Sequence, residues 1–463
     1  MVIKSQESRV QDALARDGSN INGVMVEQFV SVGDAVTPTL DVNGRPHVVV
    51  IGAGFGGLST VQALRNVDVD VTLVDRRNHH LFVPLLYQVA TAQLSADHIA
   101  QPIRRILKKQ DNAKVVYDEA TDIDVDGKSV VLASGKTLTY DFLVIAVGAK
   151  DSYFGHDEWA KHAPGLKSLE DAERIRQQIL LAFERAEKER DPVKRKALLT
   201  FVIVGGGPTG VEMAGAIAEI RNHTLQREFS NFNPRDARVV LLEGMPRVFP
   251  MFKEKLSARA QKDLEKLGVE VRTGSLVTDI DEQGVVIGGE ERIETETIIW
   301  AAGIQAASLT SSLNDVTQLD RSKRVAVTRE LTVPGHPEIF VIGDAAIIKS
   351  AEDKPWGAVA PVAIQSGKHA AKNIQRFMRG EAFTPFVYHD QGNMATIGRN
   401  HGVADIYNMQ ITGFAAWLLW ALVHIMQLVT FRNRVAVAIQ WAIDYFGYNR
   451  NARVILDHSG DTK

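Results

Sequence analysis

The sequence predicts an α/β protein made of two Rossmann-like dinucleotide-binding domains, the second inserted in the first, with a C-terminal amphipathic helical membrane anchor. Three observations predict it. Two apolar strands each empty into a glycine-rich turn and a helix, a later strand ending at Gly343-Asp344 returns the chain to the first domain, and an uncharged, tryptophan-rich run occupies 411–431. The expected boundaries are a flexible extension over 1–44, the first domain over 45–160 and 320–400, the second over 161–319, and the anchor over 401–463.

With 463 residues the chain is long for one core. Its 45% hydrophobic and 24% charged residues describe a folded protein, and the net charge of −3 gives no reason to expect nucleic acid. There is no cysteine, which excludes disulfides, thiolate metal sites and redox dithiols. Residues 1–44 scatter Glu7, Asp12, Asp17, Glu27, Asp34 and Asp41 without an apolar core, unlike a secretory signal or a transit peptide.

The first unit begins with the buried run His47 to Ile51. It leads through Gly52-Ala-Gly54-Phe55-Gly56-Gly57 into a helix-compatible stretch. Gly52 allows the turn, Gly54 lets backbone amides approach a pyrophosphate, Gly57 lets helix and strand pack, and the helix N-terminus adds partial positive charge. A second strand, Val69 to Val74, ends at Asp75-Arg76, where a carboxylate can accept from ribose hydroxyls. The following segment, His79 to Ala90, is apolar with paired histidines. No third ligand stands at metal spacing, so it reads as a buried loop and helix start lining a cavity, and no metal is expected. A helix, a β-meander about Asp126-Gly127 and Ser134-Gly135, and a strand Phe142 to Ala146 ending at Gly148 complete this half.

A charged helical stretch, Ser168 to Leu199, precedes the second unit. The strand Leu198 to Val204 runs into Gly205-Gly-Gly207-Pro208-Thr209-Gly210 and a helix Val211 to His223. Its partner strand, Ala237 to Leu242, ends at Glu243. An acid there repels the extra phosphate of NADP(H) and favours NAD(H), although Arg247 lies nearby. The half closes on Thr297 to Gly303, the counterpart of the earlier strand ending at Gly148. The strand Pro337 to Ile342 then delivers Gly343-Asp344, which can offer a carboxylate and amides to a polyol and a phosphate. After it Ala360-Pro361-Val362-Ala363-Ile364-Gln365 opens another helix, with Pro361 suited to the first turn.

The run 411–431 is long enough to span a bilayer, but His424, Gln427 and Thr430 fall near one face. A second helix, Asn433 to Tyr448, carries Val435, Ala438, Ile439, Ala442 and Phe446 on one stripe and Gln440 and Asp444 on another. Arg432, Arg434, Arg450 and Arg453 outweigh Asp444, and Trp417, Trp420, Trp441, Tyr445 and Tyr448 suit a headgroup interface. These features predict a monotopic anchor in one leaflet, with a spanning helix and a soluble dimer interface as alternatives.

These motifs place the chain beside the two-dinucleotide flavoproteins. Through His79-His80-x-Phe82-x-Pro84-Leu85-Leu86-Tyr87-x-Val89-Ala90 and Gly207-Pro208-Thr209-Gly210-Val211-Glu212-x-Ala214-Gly215 it most resembles the type II NADH dehydrogenases, single-subunit, non-pumping NADH:quinone oxidoreductases. The resemblance implies FAD at Gly52, Gly54, Phe55, Gly56, Gly57, Asp75, Arg76, Gly148, Gly343 and Asp344. It implies NADH at Gly205, Gly207, Pro208, Thr209, Gly210, Glu243 and Gly303. Glu212 matches a carboxylate near flavin and nicotinamide. Ala360, Pro361, Ala363, Ile364 and Gln365 are the quinone-site candidates; the family commonly carries Ala-Gln-x-Ala-x-Gln, so Pro361 replaces the first glutamine and Gln365 is left as the one side-chain amide. Glu212 and Gln365 are the catalytic candidates.

The expected reaction passes hydride from NADH to FAD and then two electrons to a membrane quinone, with Glu212 a proton relay or a purely positional group. The expected place is the cytoplasmic face of the cell membrane, peripheral on the lipid surface; a homodimer is left open. Sulfur-dependent relatives such as glutathione-reductase-like enzymes and sulfide:quinone reductases are excluded by the missing cysteine. A flavin reductase serving a ferredoxin or rubredoxin leaves the tryptophan-rich tail unexplained. A slow NADH-sensing membrane flavoprotein is the rival from another class.

Overall fold

The computed structural model describes residues 44–350, 353–407, 409–447 and 452–455. The extension expected over 1–44 lies, apart from Gly44, outside the described residues. In the first half the strand β1 (His47–Ile51) is followed by helix α1 (Phe55–Ala63), strand β2 (Asp70–Asp75), a short helix α2 (Leu86–Ala90), strand β3 (Ala113–Tyr117) and strand β4 (Phe142–Ile145). Val48, Val49 and Val50 are wholly buried, as strands covered on both faces require.

Two helices separate this half from the next. Helix α3 (Leu169–Lys188) starts at a capping box in which Ser168 and Asp171 satisfy each other's backbone N–H groups, and a break at Asp191-Pro192 starts the short helix Pro192–Leu198. The stretch read as one helix is therefore two, because Pro192 supplies no N–H to continue the ladder. The second half repeats the first: β5 (Thr200–Val204), helix α4 (Pro208–Glu219), β6 (Arg238–Glu243), helix α5 (Glu254–Lys266), β7 (Val269–Thr273) and β8 (Thr297–Trp300). A π-helical turn, Ile220–Thr224, follows α4. The four strands pair in parallel in the order β7-β6-β5-β8.

The chain then supplies β9 (His336–Val341) and helix α6 (Ala360–Met378). β9 pairs with β4, so the first sheet runs β9-β4-β1-β2-β3, all parallel, with Thr332–Val333 antiparallel on its edge. The chain leaves that sheet and comes back to it through an antiparallel ribbon, Ala149–Asp151 against Ile304–Ala306.

The C-terminal region departs from its sequence reading. Residues 393–412 form a three-stranded antiparallel sheet, β10 (Asn393–Gly398), β11 (His401–Ile406) and β12 (Met409–Thr412), before the helices α7 (Phe414–Gln427) and α8 (Phe431–Gly447) begin. The boundary expected at 401 thus cuts through a hairpin. Helix α7 is also shorter than the uncharged run: Ile411 and Thr412 belong to β12, and Gly413, at φ +70°, turns the chain into the helix. Its 14 residues reach about 21 Å against about 30 Å of bilayer hydrocarbon. No helix among the described residues is long and apolar enough to cross a membrane.

Candidate functional site

The two glycine turns have the same construction. Gly52 and Gly205 take φ of +98° and +111°, and a Cβ on either would strike backbone: Ala146 O at 2.4 Å in the first, Ala301 C at 2.6 Å in the second. Each first glycine donates its N–H to the end of the neighbouring strand, Val74 O or Leu242 O, at 2.8 Å. The third glycines, Gly57 and Gly210, let helix approach turn so closely that a Cβ would sit 1.8 Å from the Gly52 or Gly205 carbonyl oxygen. The middle glycines, Gly54 and Gly207, are different. Nothing lies within 4 Å of where their Cβ atoms would be. The fold does not use that space, which is what a backbone approached by a pyrophosphate needs.

The acids at the ends of β2 and β6 face these turns. Asp75 accepts from Ala53 N–H at 2.6 Å and Arg77 N–H at 2.7 Å, and Glu243 accepts from Gly206 N–H at 2.5 Å and Met245 N–H at 2.7 Å. Two amides fix each carboxylate and leave lone pairs over, since an ionised carboxylate has about four acceptor positions. Arg76 instead lies exposed and pairs with Glu119 at 3.5 Å. Gly148 and Gly303 end β4 and β8 with φ of +68° and +75°, and Phe154 lies over Gly303. Pro208 and Thr209 form the first turn of α4.

The first cradle receives a second helix. A Cβ on Gly367 would stand 2.3 Å from Gly56 O, and Thr60 Oγ1 donates to both Gly56 O at 3.0 Å and Gly367 O at 3.1 Å. This contact holds α1 and α6 together near their N-termini, at the end of the sheet where Gly52 and Gly343 emerge. Gly343 N–H donates to Ser366 Oγ at 3.2 Å, and Ala363 packs against Gly343. Asp344 has no protein hydrogen-bond partner among the described residues, and burial raises its pKa above the usual carboxylate range while Lys167 and Arg324 pull it down. A partly buried acid without a donor, next to Gly343 where that residue packs against the start of α6, fits the hydroxyl-rich and phosphate portions of a dinucleotide such as FAD.

The quinone-site candidates are divided. Ala360 and Pro361 form the first turn of α6, Ala363 is wall, and Ile364 and Gln365 lie partly exposed. Gln365 differs from its expected role. Its Nε2 donates to His389 O and its Oε1 accepts from His389 N–H, both at 3.0 Å, so both ends of the amide tie down the following loop. The free side-chain amide expected at this end of the cradle is thus already engaged.

The segment His79 to Ala90 does line a cavity. His80 is buried, shares Nδ1 with Ala53 O at 2.8 Å, and meets Phe55 edge-on at 5.2 Å; Phe55 in turn meets Phe82 at 5.7 Å. Desolvation lowers the pKa of His80. Helix α2 then places Tyr87 and Gln88 opposite α4. Between them, β10 and the two C-terminal helices is a cavity of about 70 Å³ that reaches Glu212. Glu212 is 9% exposed, and desolvation lifts its pKa well above the usual value, only partly opposed by a hydrogen bond from the Thr396 backbone. Gly215 makes this site possible: a Cβ there would stand 1.7 Å from Ile397 O, so α4 rides directly on β10.

Glu212 was legible in the sequence, but its surroundings were not. Gln88, whose Oε1 accepts from Trp441 Nε1 at 2.8 Å, and Thr396 come from distant segments. Glu219 gave a signal, since it repeats the helical face of Glu212 at i+7.

Comparison with known proteins agrees with this geometry. Residues 46–367 match the pyridine nucleotide-disulphide oxidoreductase family and residues 390–448 match the NDH2 C-terminal domain. The chain is 42% identical over 432 residues, 91% of its length, to the type II NADH:quinone oxidoreductase Ndh of Mycobacterium tuberculosis, covering 92% of that protein. It is 43% identical over 428 residues to NdhA of the same organism, covering 89% of this chain and 90% of that one. Among solved structures, NDH2 from Plasmodium falciparum in complex with NADH superposes with a TM-score of 0.81 at 22% identity, over 89% of this chain and 100% of that one; it speaks for the fold.

Proposed function

The chain belongs to the type II NADH:quinone oxidoreductases, within the pyridine nucleotide-disulphide oxidoreductase family, and from that premise we propose how its residues carry out the reaction and where. It is an NADH:quinone oxidoreductase that uses FAD and takes NADH as substrate. FAD supplies a two-electron acceptor that separates the oxidation of NADH from the reduction of quinone.

In this reading the turn from Gly52 to Gly57 and the start of α1 hold the FAD pyrophosphate. Asp75 takes the adenine ribose, Asp344 the hydroxyls of the other half, and the N-terminus of α6 offers positive potential. The turn from Gly205 to Gly210 and Glu243 hold NADH, and the charge of Glu243 disfavours a 2′-phosphate. Gln365 fixes the loop through His389. Glu212, matched to a carboxylate near the nicotinamide, would be the protein's proton-holding group, since its dry setting favours the protonated form.

The reading places the enzyme on a membrane surface at the cytoplasmic face, monotopic and without proton pumping. One observation carries the attachment: α7 and α8 both expose apolar side chains, and α8 is inside out. Asn433 and Asp444 are buried, while Phe414, Leu418, Leu422 and Met426 on α7 and Phe431, Val435, Ile439, Ile443 and Phe446 on α8 are exposed. A helix that buries its polar side and exposes a continuous apolar stripe is built for lipid and not for water.

The test is the visible spectrum of the purified protein with its flavin. NADH should bleach the flavin bands, and a short-chain quinone should restore them at the rate of steady-state turnover. Recovery only with a ferredoxin or rubredoxin, and none with quinone, would remove the reading.

A further inference from the structure

The second sheet runs β7-β6-β5-β8, so its carboxyl edge presents the ends of β6, β5 and β8 side by side. Glu243 ends β6, and the Gly205–Gly210 turn leaves β5. A dinucleotide with its adenosine end at Glu243 and its pyrophosphate on that turn therefore extends its nicotinamide half over the end of β8. The turn already reaches that end: a Cβ on Gly205 would stand 2.6 Å from Ala301 C and 2.7 Å from Ala302 N. Gly303 follows, and the ring of Phe154 covers it.

Phe154 is held there against its backbone preference. Its φ is +53°, and that of Gly155 is +97°. Bulky side chains rarely adopt the left-handed region, and a residue kept in it needs support from the structure around it. That support is present. Ser152 N–H donates to Gly303 O at 3.3 Å, and Trp300 Nε1 donates to Ser152 O at 3.0 Å. Tyr153 stacks on Trp300 at 5.0 Å and donates its hydroxyl to Ala163 O at 2.8 Å, while Phe154 meets Trp300 edge-on at 6.2 Å. None of this buries the ring: Phe154 is 68% exposed, next to Tyr153 at 7%. Gly303, at φ +75°, has no room for a Cβ beneath Phe154. The ring, and not the backbone of Gly303, is thus the surface that this end of the cradle offers.

We propose that Phe154 seats the nicotinamide half of NADH, its ring over Gly303 being the wall against which the dihydronicotinamide packs. The inference deepens the reading in which the Gly205–Gly210 turn and Glu243 hold NADH, and rests on it. Dihydronicotinamide is flat and uncharged, so an aromatic wall held in place by its backbone suits it without a charged partner. The strained turn at Phe154-Gly155 then has a use, because it fixes the ring before the substrate arrives.

The experiment uses the FAD-loaded protein and two probes. NADH is titrated through the rate of flavin bleaching without oxygen, and ADP-ribose, which lacks the nicotinamide, is titrated by calorimetry. In Phe154→Ala the NADH concentration for half-maximal bleaching should rise about tenfold, while ADP-ribose affinity stays within about twofold of wild type. Phe154→Tyr keeps the flat ring and should restore the NADH value. Phe154→Asn accepts the left-handed backbone, so it should melt at or above the wild-type temperature and still lose NADH affinity as Phe154→Ala does. A lower melting temperature with unchanged NADH dependence would make the ring merely structural and overturn the proposal, as would equal weakening of NADH and ADP-ribose in Phe154→Ala. Gly207→Val tests the underlying reading separately, since a Cβ there meets nothing within 4 Å. It should abolish ADP-ribose binding; unaltered binding would remove the turn as the nucleotide site, and the proposal with it.

Discussion

Replacing Leu422 and Ile439 together by aspartate should strip the enzyme from membranes without unfolding it. The two side chains are 55% and 56% exposed, one in each apolar stripe, and neither supports the core. A fully buried Leu or Ile is worth about 2 kcal/mol, so each contributes about 1 kcal/mol on entering lipid. By the same arithmetic the nine exposed side chains of the two stripes contribute at most about 10 kcal/mol. Losing two and setting two carboxylates against the interface removes about 3 kcal/mol, roughly a hundredfold in partitioning. Sedimentation with liposomes over a range of lipid concentration measures this directly. Val193→Asp is the control: Val193 is as exposed, at 61%, but lies on the short helix after Asp191, and its replacement should leave binding unchanged. If the double variant sediments as the wild type does while keeping its flavin, the stripes do not face lipid.

Other substitutions test the cradles and the aromatic contact beneath the anchor. Gly54→Ala meets nothing within 4 Å, so it should leave the melting temperature nearly unchanged and weaken FAD binding by tenfold or more in flavin-release titrations; Gly57→Ala, with its Cβ 1.8 Å from a backbone oxygen, should lower both together. Glu243→Gln keeps an acceptor but removes the charge, and should move the NADH to NADPH ratio of kcat/KM toward NADPH by about tenfold, or about 1.4 kcal/mol. His424 stacks on Trp420 at 4.4 Å, shares Nδ1 with Trp420 O at 2.7 Å, and burial lowers its pKa from 6.5 to about 4. The fold holds it neutral, so its contribution is full above pH 6.5 and disappears as pH falls toward 4, a loss of about 3 kcal/mol. Denaturant titrations in detergent at pH 7, 6, 5 and 4 should show that loss in the wild type relative to His424→Phe; parallel pH curves would refute it.

The repeated strand, turn and helix were readable because each constraint is local. A glycine whose Cβ would strike backbone, and an acid two amides from the turn, lie within one supersecondary unit, so spacing alone reports them. The break at Asp191-Pro192 was readable from proline chemistry, yet the strong helical composition on both sides concealed it. The commitment of Gln365 to His389 could not be read, because it depends on where a loop 24 residues later comes to rest. The sheet of residues 393–412 was missed for a similar reason: its strands are short, and Ile411 and Thr412 join smoothly to the apolar run that follows.

The two sides of α8 have different surroundings, and the difference has functional weight. Periodicity alone finds a stripe with Val435, Ile439 and Phe446 and another with Gln440 and Asp444, and in water the first would be the buried one. Here the polar stripe is the anchored one. Asn433 Nδ2 donates to Asp97 O at 3.0 Å and to His98 O, Asp444 Oδ1 accepts from Gln440 at 2.9 Å, and Arg399 donates to Asp444 O. The balance of basic residues changes too, since Arg434 caps Leu428 O and Arg453 pairs with Glu228, which leaves Arg432 as the exposed cation of α8. With polar groups turned inward, the helix closes the cavity that leads to Glu212; with apolar groups turned outward, it offers a face to lipid. One helix thus does both jobs, so loss of lipid contact and loss of the closed cavity are separable only by substitutions confined to one stripe, Ile439 belonging to the outward one and Asp444 to the inward one.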